Sequence, residues 1–320
     1  MTGPRPDHPL ISIVVPVLDE EDCVEELARR VDQAMTGADA EYEVIFVDDG
    51  SGDRTPERIA ELHKAAPSRV RSIRFTRSFG HQAALVAGLR HARGDAVVTM
   101  DGDLQHPPEF LPTLIDVWRG GVDVVHTVRR LPPGEARSGK ERTAHVFYRV
   151  LSALASVPVI PASADFRLLD RRAVDAFNSL EERFIYARGL IPWLGFPDAR
   201  VEYEVGERFA GRSKYSFWPM LRLALDGVFS FSVLPLRLIS LLGLVTTLFG
   251  VAVGAHALIS YLTGGVSASG WTSVVVLILI FGGVQLLSIG ILSEYVGRVY
   301  EEVKRRPRYV IESQSELDSP

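Results

Sequence analysis

Short apolar runs alternate with amphipathic stretches along the amino-terminal part of the chain. The apolar runs are rich in β-branched residues, which is typical of buried strands, and they cover Leu10–Val17, Tyr42–Val47, Val70–Phe75, Ala96–Met100 and Val122–Thr127. Between them apolar residues recur at helical spacing, which predicts helices over Glu20–Met35, Pro56–Lys64, Gln82–Arg93 and Pro108–Arg119. This alternation predicts an α/β fold, in which helices cover both faces of a mostly parallel sheet.

The alternation is less regular further along the chain. The polar stretch Arg129–Arg142 is typical of a loop, and the apolar stretch His145–Val157 predicts a helix. Another helix is predicted to begin near Phe166, and the alternating residues Val201–Val205 predict an edge strand. Ser216–Val233 is amphipathic and aromatic, which favours helices that lie in a membrane interface over a pair of core helices.

Two long apolar runs without a charged residue follow, Leu238–Leu262 and Trp271–Ser293. Each exceeds the ~20 residues that a helix needs to cross a bilayer, so two transmembrane helices are predicted rather than buried helices of a soluble protein. The loop between them carries no charge, whereas basic residues flank the runs at Arg237 and at Arg298, Lys304, Arg305, Arg306 and Arg308. The positive-inside rule therefore predicts that both termini and the α/β domain are cytoplasmic.

These patterns predict how the chain is organised. A disordered amino terminus, residues 1–9, precedes a cytoplasmic α/β domain over residues 10–214. Juxtamembrane interfacial helices are expected over residues 215–236, and two transmembrane helices over residues 237–293. Residues 294–320 then form a cytoplasmic carboxy-terminal tail.

Composition and charge narrow the classes of function. The formal net charge is −5, whereas a general nucleic-acid-binding protein should be basic, so no nucleic-acid partner is expected. Cys23 is the only cysteine in the chain. An intramolecular disulfide is therefore excluded, and the α/β domain has no need of an oxidising compartment.

Polar, acidic clusters follow the predicted strands that end at Val17, Val47 and Met100. Ligands of open α/β sheets bind at the carboxyl ends of the strands, so these clusters indicate a site. In the third cluster, Asp101 and Asp103 flank a glycine and can face one hard cation such as Mg²⁺ or Mn²⁺. Such an ion can neutralise a diphosphate and assist its departure. A solvated turn is the alternative for an isolated pair of this kind.

Four ordered motifs carry a resemblance to a known family: Val14–Glu20, Val47–Asp53, Asp101–Pro107 and Asp165–Leu168. Together they resemble the family-2 inverting glycosyltransferases of GT-A fold, whose catalytic domain has a Rossmann-like sheet. Within that family the chain is most similar to the polyprenyl-phosphate glycosyltransferases, namely dolichol-phosphate mannose synthases and bacterial bactoprenol glucosyltransferases. The two carboxy-terminal spans fit the bacterial, membrane-anchored branch.

The resemblance implies an activity, partners and a location. A single sugar would pass, with inversion, from a nucleotide-sugar to polyprenyl (undecaprenyl) phosphate at the cytoplasmic face of the inner (plasma) membrane. UDP-glucose is the favoured donor, and GDP-mannose is the alternative. Mg²⁺ or Mn²⁺ is the implied cofactor, and a homotetramer is the implied assembly.

The resemblance also implies roles for individual residues on the donor side. The residues expected to cup the nucleobase and ribose are Pro16, Leu18, Glu20 and Asp49. Asp101 and Asp103 would hold the metal and the diphosphate, with Gln105 close by. Arg129 would contact phosphate from the next strand end, and the loop expected to close over the donor carries Arg137, Lys140 and Arg142.

On the acceptor side, Arg208 and Lys214 match a recurrent pattern of the family and are expected to bind phosphate, either of the donor or of the lipid. A patch that attracts anionic headgroups is a compatible second interpretation. Asp165 is placed near the acceptor, where it would act as a base or orient a substrate. Helix capping or pairing with Arg167 is the structural alternative for Asp165.

Other classes of function are disfavoured. A processive polysaccharide synthase usually has more spans and an Arg-Trp acceptor motif, and no Arg-Trp pair occurs in the chain. A non-catalytic lipid-binding scaffold would not need Asp101, Asp103, Arg208 and Lys214 together. A lipid-flipping transporter is disfavoured because the two spans lack charged residues.

Overall fold

The structure, a computed structural model, describes residues 5–130, 163–182, 185–204, 232–263 and 270–315. These residues belong to two compact units. The α/β unit contains the described residues up to 204 together with residues 306–315, and the helical unit contains residues 232–263 and 270–305. The predicted helix His145–Val157 and nearly all of the predicted interfacial helices lie outside the described residues.

The α/β unit is built on an eight-stranded sheet with the order β7-β5-β6-β4-β1-β2-β3-β8. Its strands are β1 (Leu10–Val17), β2 (Glu41–Asp48), β3 (Val70–Phe75), β4 (Ala96–Thr99), β5 (Val124–Arg130), β6 (Ser163–Asp170), β7 (Asp198–Glu204) and β8 (Ile311–Gln314). Strand β1 pairs in parallel with β2 and β4, β2 with β3, and β5 with β7. Among the described strands, only β6 and β8 run antiparallel to their neighbours. The predicted mostly parallel α/β fold is therefore confirmed.

The helices of this unit follow the strands in sequence. They are α1 (Val24–Met35), α2 (Thr55–Ala65), α3 (His81–His91), α4 (Leu111–Arg119), α5 (Arg171–Asn178) and α6 (Ala187–Trp193). In α1 the residues that recur at helical spacing are the buried ones, Val24, Leu27, Val31 and Met35. They cover the central strands, and burying each such side chain contributes roughly 1.5–3 kcal/mol. Helix α6 was not predicted from the sequence.

The predicted helix beginning near Phe166 is wrong. Residues Ser163–Asp170 form strand β6, which lies between β4 and β5, and helix α5 begins only at Arg171. The Asp170 carboxylate caps this helix by accepting the amide N–H of Arg172 at 3.0 Å. The pattern was misleading because Asp165 and Arg167 are charged but buried, at 5% and 1% exposure. Their ion pair allows a polar strand face to lie inside the protein.

Both ends of the α/β unit make contacts that the sequence did not predict. Within the segment 1–9, predicted to be disordered, the Arg5 guanidinium lies 4.6 Å from the centroid of the Trp118 ring and donates to the Trp118 carbonyl. The predicted carboxy-terminal tail contains β8, which pairs antiparallel with β3. Tyr309, just before β8, stacks on Phe75 with ring centroids 4.9 Å apart.

The helical unit contains two long helices, α7 (Leu234–Leu262) and α8 (Trp271–Val303). Each has a window long and apolar enough to cross a membrane, with a mean hydropathy of 2.2 over Leu234–His256 and 1.4 over Ile280–Val303. Helix α8 continues ten residues beyond the predicted end of the second span at Ser293. This extension carries charged residues, including an ion pair between Glu294 and Arg298 at 3.0 Å.

A buried histidine on β5 should make the stability of the α/β unit depend on pH. His126 is 1% exposed, and burial, together with the charges of Arg167 and Arg200, lowers its pKa from 6.5 to about 3. The folded state therefore holds it neutral, whereas the unfolded chain protonates it near pH 6.5. The contribution of neutral His126 to the free energy of unfolding is complete above about pH 6.5 and is lost as the pH falls toward 3. We expect the free energy of unfolding to fall by ~2 kcal/mol between pH 7 and 5, which corresponds to a fall of roughly 4–8 °C in the thermal midpoint.

The His126→Leu variant tests this pH dependence. Its thermal midpoint, measured in detergent by differential scanning fluorimetry, should fall less between pH 7 and 5 than that of the wild type. His8→Gln is the matched control, because the His8 side chain is 75% exposed. Parallel curves for His126→Leu and the wild type would show that His126 does not cause the acid sensitivity.

Candidate active site

A cavity of about 210 Å³ opens at the carboxyl ends of β1, β2 and β4. It is lined by Pro16, Val17, Leu18, Glu20, Asp49, His81, Ala84, Asp101, Gly102 and Asp103. The structure thus brings together, around one cavity, all four residues predicted to cup a nucleoside and both acidic residues predicted to hold a metal. His81 and Ala84, from the start of α3, were not singled out in the sequence.

Hydrogen bonds from the segment after β1 to the segment between β2 and α2 fix one side of the cavity. The backbone N–H of Asp19, a residue with a φ of 56°, donates to the Ser51 hydroxyl at 3.0 Å. The Glu20 N–H donates to the Thr55 hydroxyl at 2.8 Å. Side chains of one loop therefore fix the backbone of the other, and Leu18 is left 44% exposed between them at the cavity.

Asp49 organises a third loop beside the cavity. Its carboxylate accepts hydrogen bonds from the Ser78 hydroxyl and the Phe79 N–H, both at 2.7 Å, and from the Gly80 N–H. Asp49 was predicted to meet a base or ribose, and its place in the cavity lining is compatible with that role. The structure adds that the same carboxylate anchors the β3–α3 loop, which carries His81 into the site.

The approach of these two loops requires glycine at position 50. Gly50 has a φ of +78°, and a Cβ there would lie 2.6 Å from the Arg77 carbonyl carbon. Real Cβ atoms do not approach backbone so closely, and other residues rarely adopt this φ. The close contact therefore sets the position of the loop that Asp49 holds.

Asp101 lies between two histidines. The His81 Nε2 is 2.9 Å from its Oδ1 atom, and the His106 Nδ1 is 3.6 Å from its Oδ2 atom. Burial opposes ionisation of Asp101, but the His81 hydrogen bond and the charges of His81 and Arg188 outweigh it and hold the pKa of this carboxyl well below its usual range. Asp101 is therefore ionised throughout the physiological range.

The second histidine supports the backbone of the acidic motif. The Asp101 N–H donates to the His106 Nδ1 at 2.9 Å, so the ring proton belongs on Nε2. His106 is fully buried and stacks on Phe166 with centroids 5.1 Å apart. Burial lowers its pKa despite the charge of Asp101, which keeps the ring neutral and able to accept.

The two acidic residues fit a divalent cation that is shared with a substrate. Both Asp101 and Asp103 line the cavity, and the Asp103 Oδ1 accepts the Gln105 N–H at 3.1 Å. Among the residues that the structure describes, no group of three or more His, Cys, Asp or Glu side chains has metal-binding geometry. Mg²⁺ is commonly bound by one or two carboxylates with substrate phosphates completing its shell, which matches this donor set.

Asp165 is buried at the carboxyl edge of the sheet with two arginines. Its Oδ1 accepts from the Arg167 Nη2 at 2.9 Å and from the Arg188 Nε at 3.0 Å, and its Oδ2 accepts from the Arg188 Nη2 at 2.7 Å. Burial favours the neutral acid, but both guanidinium groups outweigh it and lower the Asp165 pKa. The predicted alternative of a pair with Arg167 is therefore present. Arg188 was missed, since a lone arginine in an unpredicted helix gave no signal.

The remaining predicted residues divide into two groups. Arg129 lies at the end of β5, where it is exposed, and its charge contributes to lowering the His106 pKa. The predicted phosphate-binding and loop residues lie outside the described residues, and these are Arg137, Lys140, Arg142, Arg208 and Lys214. Their roles remain predictions.

Comparison with known proteins gives similar sequences over nearly the whole chain. An uncharacterized glycosyltransferase of Synechocystis sp. is 40% identical over 94% of this chain and 94% of its own length. The SfII prophage-derived bactoprenol glucosyl transferase of Shigella flexneri is 40% identical over 94% of this chain and 97% of its own length. A prophage bactoprenol glucosyl transferase homolog of Escherichia coli is 38% identical over 94% and 98%.

Solved structures of lower similarity were also found. Glucosyl-3-phosphoglycerate synthase from Mycobacterium tuberculosis, in complex with Mn²⁺, UDP and phosphoglyceric acid, is 23% identical and has a TM-score of 0.47 over 69% of this chain and 78% of its own. A mannosyltransferase from Pyrobaculum calidifontis, in complex with GDP-mannose and Mn²⁺, is 18% identical and has a TM-score of 0.48 over 96% and 90%.

The family prediction is confirmed by the sequence comparisons. The sheet is typical of the GT-A fold, and the sequence model described as Glycosyl transferase family 2 matches residues 12–177, which is more than half of the chain. That range contains Asp49, Asp101, Asp103 and Asp165. The chain belongs to glycosyl transferase family 2.

Proposed function

We propose that this protein transfers one glucose, with inversion, from UDP-glucose to undecaprenyl phosphate at the cytoplasmic face of the plasma membrane. The observation that carries the proposal is the likeness to bactoprenol glucosyl transferases, which extends over 94% of the chain and therefore includes both long apolar helices. The cavity at the strand ends supports it, because acidic and nucleoside-facing residues meet there.

The donor would lie across the carboxyl ends of β2, β1 and β4. Pro16 and Leu18 offer apolar surface to the base, and Glu20 and Asp49 offer carboxylates to the nucleoside. Asp101 and Asp103 would hold a Mg²⁺ or Mn²⁺ ion together with the diphosphate. When bound, that ion supplies charge neutralisation for the departing nucleotide. The described residues keep both carboxylates at the cavity, and the His81 contact holds Asp101 in place.

The acceptor needs little activation. A phosphate monoester has its second pKa near 6, so it is mostly a dianion at about pH 7 and is already a nucleophile. The protein must instead bring two anions together, which requires positive charge on the acceptor side. Arg208 and Lys214 are proposed to supply part of that charge, and Arg129 is proposed to contact phosphate.

The membrane arrangement is part of the same proposal. Helices α7 and α8 cross the bilayer, both termini and the α/β unit are cytoplasmic, and the chain assembles as a homotetramer. The basic residues around the apolar runs support the orientation. Cysteine labelling of inverted vesicles tests the topology, and light scattering of the detergent-solubilised protein tests the assembly.

A donor panel tests the function directly. The purified protein is incubated with undecaprenyl phosphate, Mn²⁺ or Mg²⁺, and radiolabelled UDP-glucose, UDP-galactose, GDP-mannose or dTDP-glucose. We expect a labelled lipid from UDP-glucose, with no product when EDTA replaces the metal. Preferential use of GDP-mannose would replace glucose with mannose in the proposal. Failure of every donor would contradict sugar transfer to the lipid.

A further inference from the structure

We propose that Arg188 binds the phosphate of the polyprenyl acceptor, and that Asp165 is a positioning residue that holds Arg188 rather than a general base. This inference deepens the proposed function and rests on it. Arg188 is absent from the motifs that carry the family resemblance.

The surroundings of Asp165 are unsuited to a base. Its two carboxylate oxygens accept three charged hydrogen bonds at 2.7–3.0 Å from Arg167 and Arg188. A general base works best when its pKa lies near the operating pH, whereas two guanidinium groups stabilise the ionised carboxylate and weaken its affinity for a proton. The acceptor dianion does not need a strong base. Holding an arginine is therefore the chemistry that this carboxylate can perform.

The two arginines differ in what they can reach. Arg167 is 1% exposed, and its guanidinium also donates to the Ala164 carbonyl at 2.9 Å. The Arg167 guanidinium therefore interacts with groups inside the protein and is not accessible to a ligand. The Arg188 side chain is 34% exposed while two of its nitrogens grip Asp165. A guanidinium held in this way is pre-organised for an anion, because little side-chain freedom remains to be lost on binding.

Arg188 also has a defined place relative to the acidic motif. The Ala187 N–H at the start of α6 donates to the Gln82 Oε1 at 3.0 Å, and Gln82 follows His81, which holds Asp101. The Thr99 hydroxyl, at the end of β4, donates to the Asp165 carbonyl at 2.5 Å. Two separate contacts therefore tie the Asp165–Arg188 pair to the strand end that carries Asp101.

The sheet order determines which substrate would meet Arg188. The predicted nucleoside residues follow β1 and β2, the acidic motif follows β4, and Asp165 lies on β6 at the far side of β4. A donor whose nucleoside lies at the ends of β1 and β2, and whose diphosphate passes Asp101, would present its sugar toward β6. The attacking phosphate must approach from the side opposite the leaving nucleotide, and Arg188, which is bound to Asp165 on β6, would lie on that side.

The charge balance agrees with this assignment. Asp165 carries one negative charge and Arg167 and Arg188 carry two positive charges, so these three side chains together are net positive, while the charge of nearby Asp101 would be matched by the bound cation. A dianionic phosphate monoester would be attracted to it, and Arg188 can offer bidentate hydrogen bonds to phosphate oxygens. Arg208 and Lys214 would add to this charge without replacing the held guanidinium.

Steady-state kinetics of Arg188→Gln test the assignment. We expect kcat/KM for undecaprenyl phosphate to fall about 100-fold, while the KM for UDP-glucose stays within about twofold of the wild-type value. The Arg188→Lys variant should retain an intermediate rate, because lysine keeps the positive charge but lacks the forked guanidinium. Arg172→Gln is the matched control. Arg172 is also partly exposed and pairs with a buried carboxylate, Asp123, at 2.7 Å, but it lies beyond the opposite end of β6 and should leave both constants unchanged.

A second measurement separates this inference from the proposed function. Binding of farnesyl phosphate is measured by thermophoresis in the inactive Asp103→Asn background, with and without Arg188→Gln. Loss of binding upon the Arg188 change supports the assignment even if the donor has been misidentified. Unchanged farnesyl phosphate binding, or a larger rise in the KM for UDP-glucose than for the lipid, would overturn it. Absence of any turnover by the wild type would count against the proposed function alone.

The role of Asp165 is read from a double-mutant cycle and a pH profile. If Asp165 only holds Arg188, the Asp165→Asn and Arg188→Gln losses are not additive, and Asp165→Asn keeps the shape of the wild-type pH profile of kcat. If Asp165 is a base, Asp165→Asn removes the acidic limb of that profile and its loss adds to that of Arg188→Gln. The second result would overturn the positioning role.

Discussion

Replacing Asp103 with asparagine is expected to abolish sugar transfer while the protein still folds. The substitution keeps a side-chain oxygen to accept the Gln105 N–H, so the turn after β4 should survive. It removes one of the two carboxylates proposed to hold the cation, and with it half of the negative charge that this pair would direct at a divalent ion. If the metal site then stabilises the transition state by ~4 kcal/mol less, the rate of sugar transfer falls about 10³-fold.

Two measurements check this prediction. Turnover of UDP-glucose is followed with radiolabelled donor, and Mn²⁺ binding in the presence of UDP is followed by electron paramagnetic resonance. Asp116→Asn is the matched control, since the Asp116 carboxylate is 75% exposed on α4 and does not line the cavity. A variant at position 103 that binds Mn²⁺ and turns over like the wild type would remove Asp103 from the metal site.

Replacing Gly50 with alanine is expected to destabilise the α/β unit and to weaken UDP binding. The new methyl group would lie within 2.9 Å of three backbone atoms of Arg77 and Ser78, and the φ of +78° disfavours any residue with a Cβ. Overpacking and the left-handed conformation together should cost about 3 kcal/mol. This corresponds to a fall of roughly 6–12 °C in the thermal midpoint of a unit of this size.

The effect on binding follows from the loop that would have to move. Asp49 is the neighbour of Gly50 and anchors residues 78–80, so a displaced loop would shift His81 away from Asp101. Gly52→Ala is the control, because no atom lies within 4 Å of its would-be Cβ. Differential scanning fluorimetry with and without UDP separates the two effects. Equal midpoints for the two alanine variants would show that the loops are not packed as described.

The cavity could be predicted from the sequence because its residues directly follow parallel strands. Pro16, Asp49 and Asp101 each stand at the end of an apolar run, and parallel strands deliver their carboxyl ends to one edge. His81 follows β3 in the same way, so its position was open to the same argument. It was not predicted because the prediction rested on acidic clusters, whereas the segment after β3 is not acidic.

Strand β6 and Arg188 were beyond this kind of reasoning. In β6, charged residues alternate with apolar ones, and a polar strand face is normally expected to meet solvent. Here that face is buried, because the Asp165 carboxylate pairs with the Arg167 guanidinium at 2.9 Å. Arg188 completes the cluster from a helix that shows no periodic pattern, and its partner Asp165 lies 23 positions earlier in the chain.

Local pattern alone therefore establishes the strand–helix alternation of the α/β unit, the acidic strand ends and the two long apolar helices. Each of these depends on neighbouring residues, since hydrophobic periodicity and span length are properties of a short segment. The loop held by Asp49, the histidines around Asp101 and the two arginines around Asp165 depend on tertiary packing. These contacts join residues distant in the chain, and the energy of a buried charge is set by whichever partners the fold brings to it.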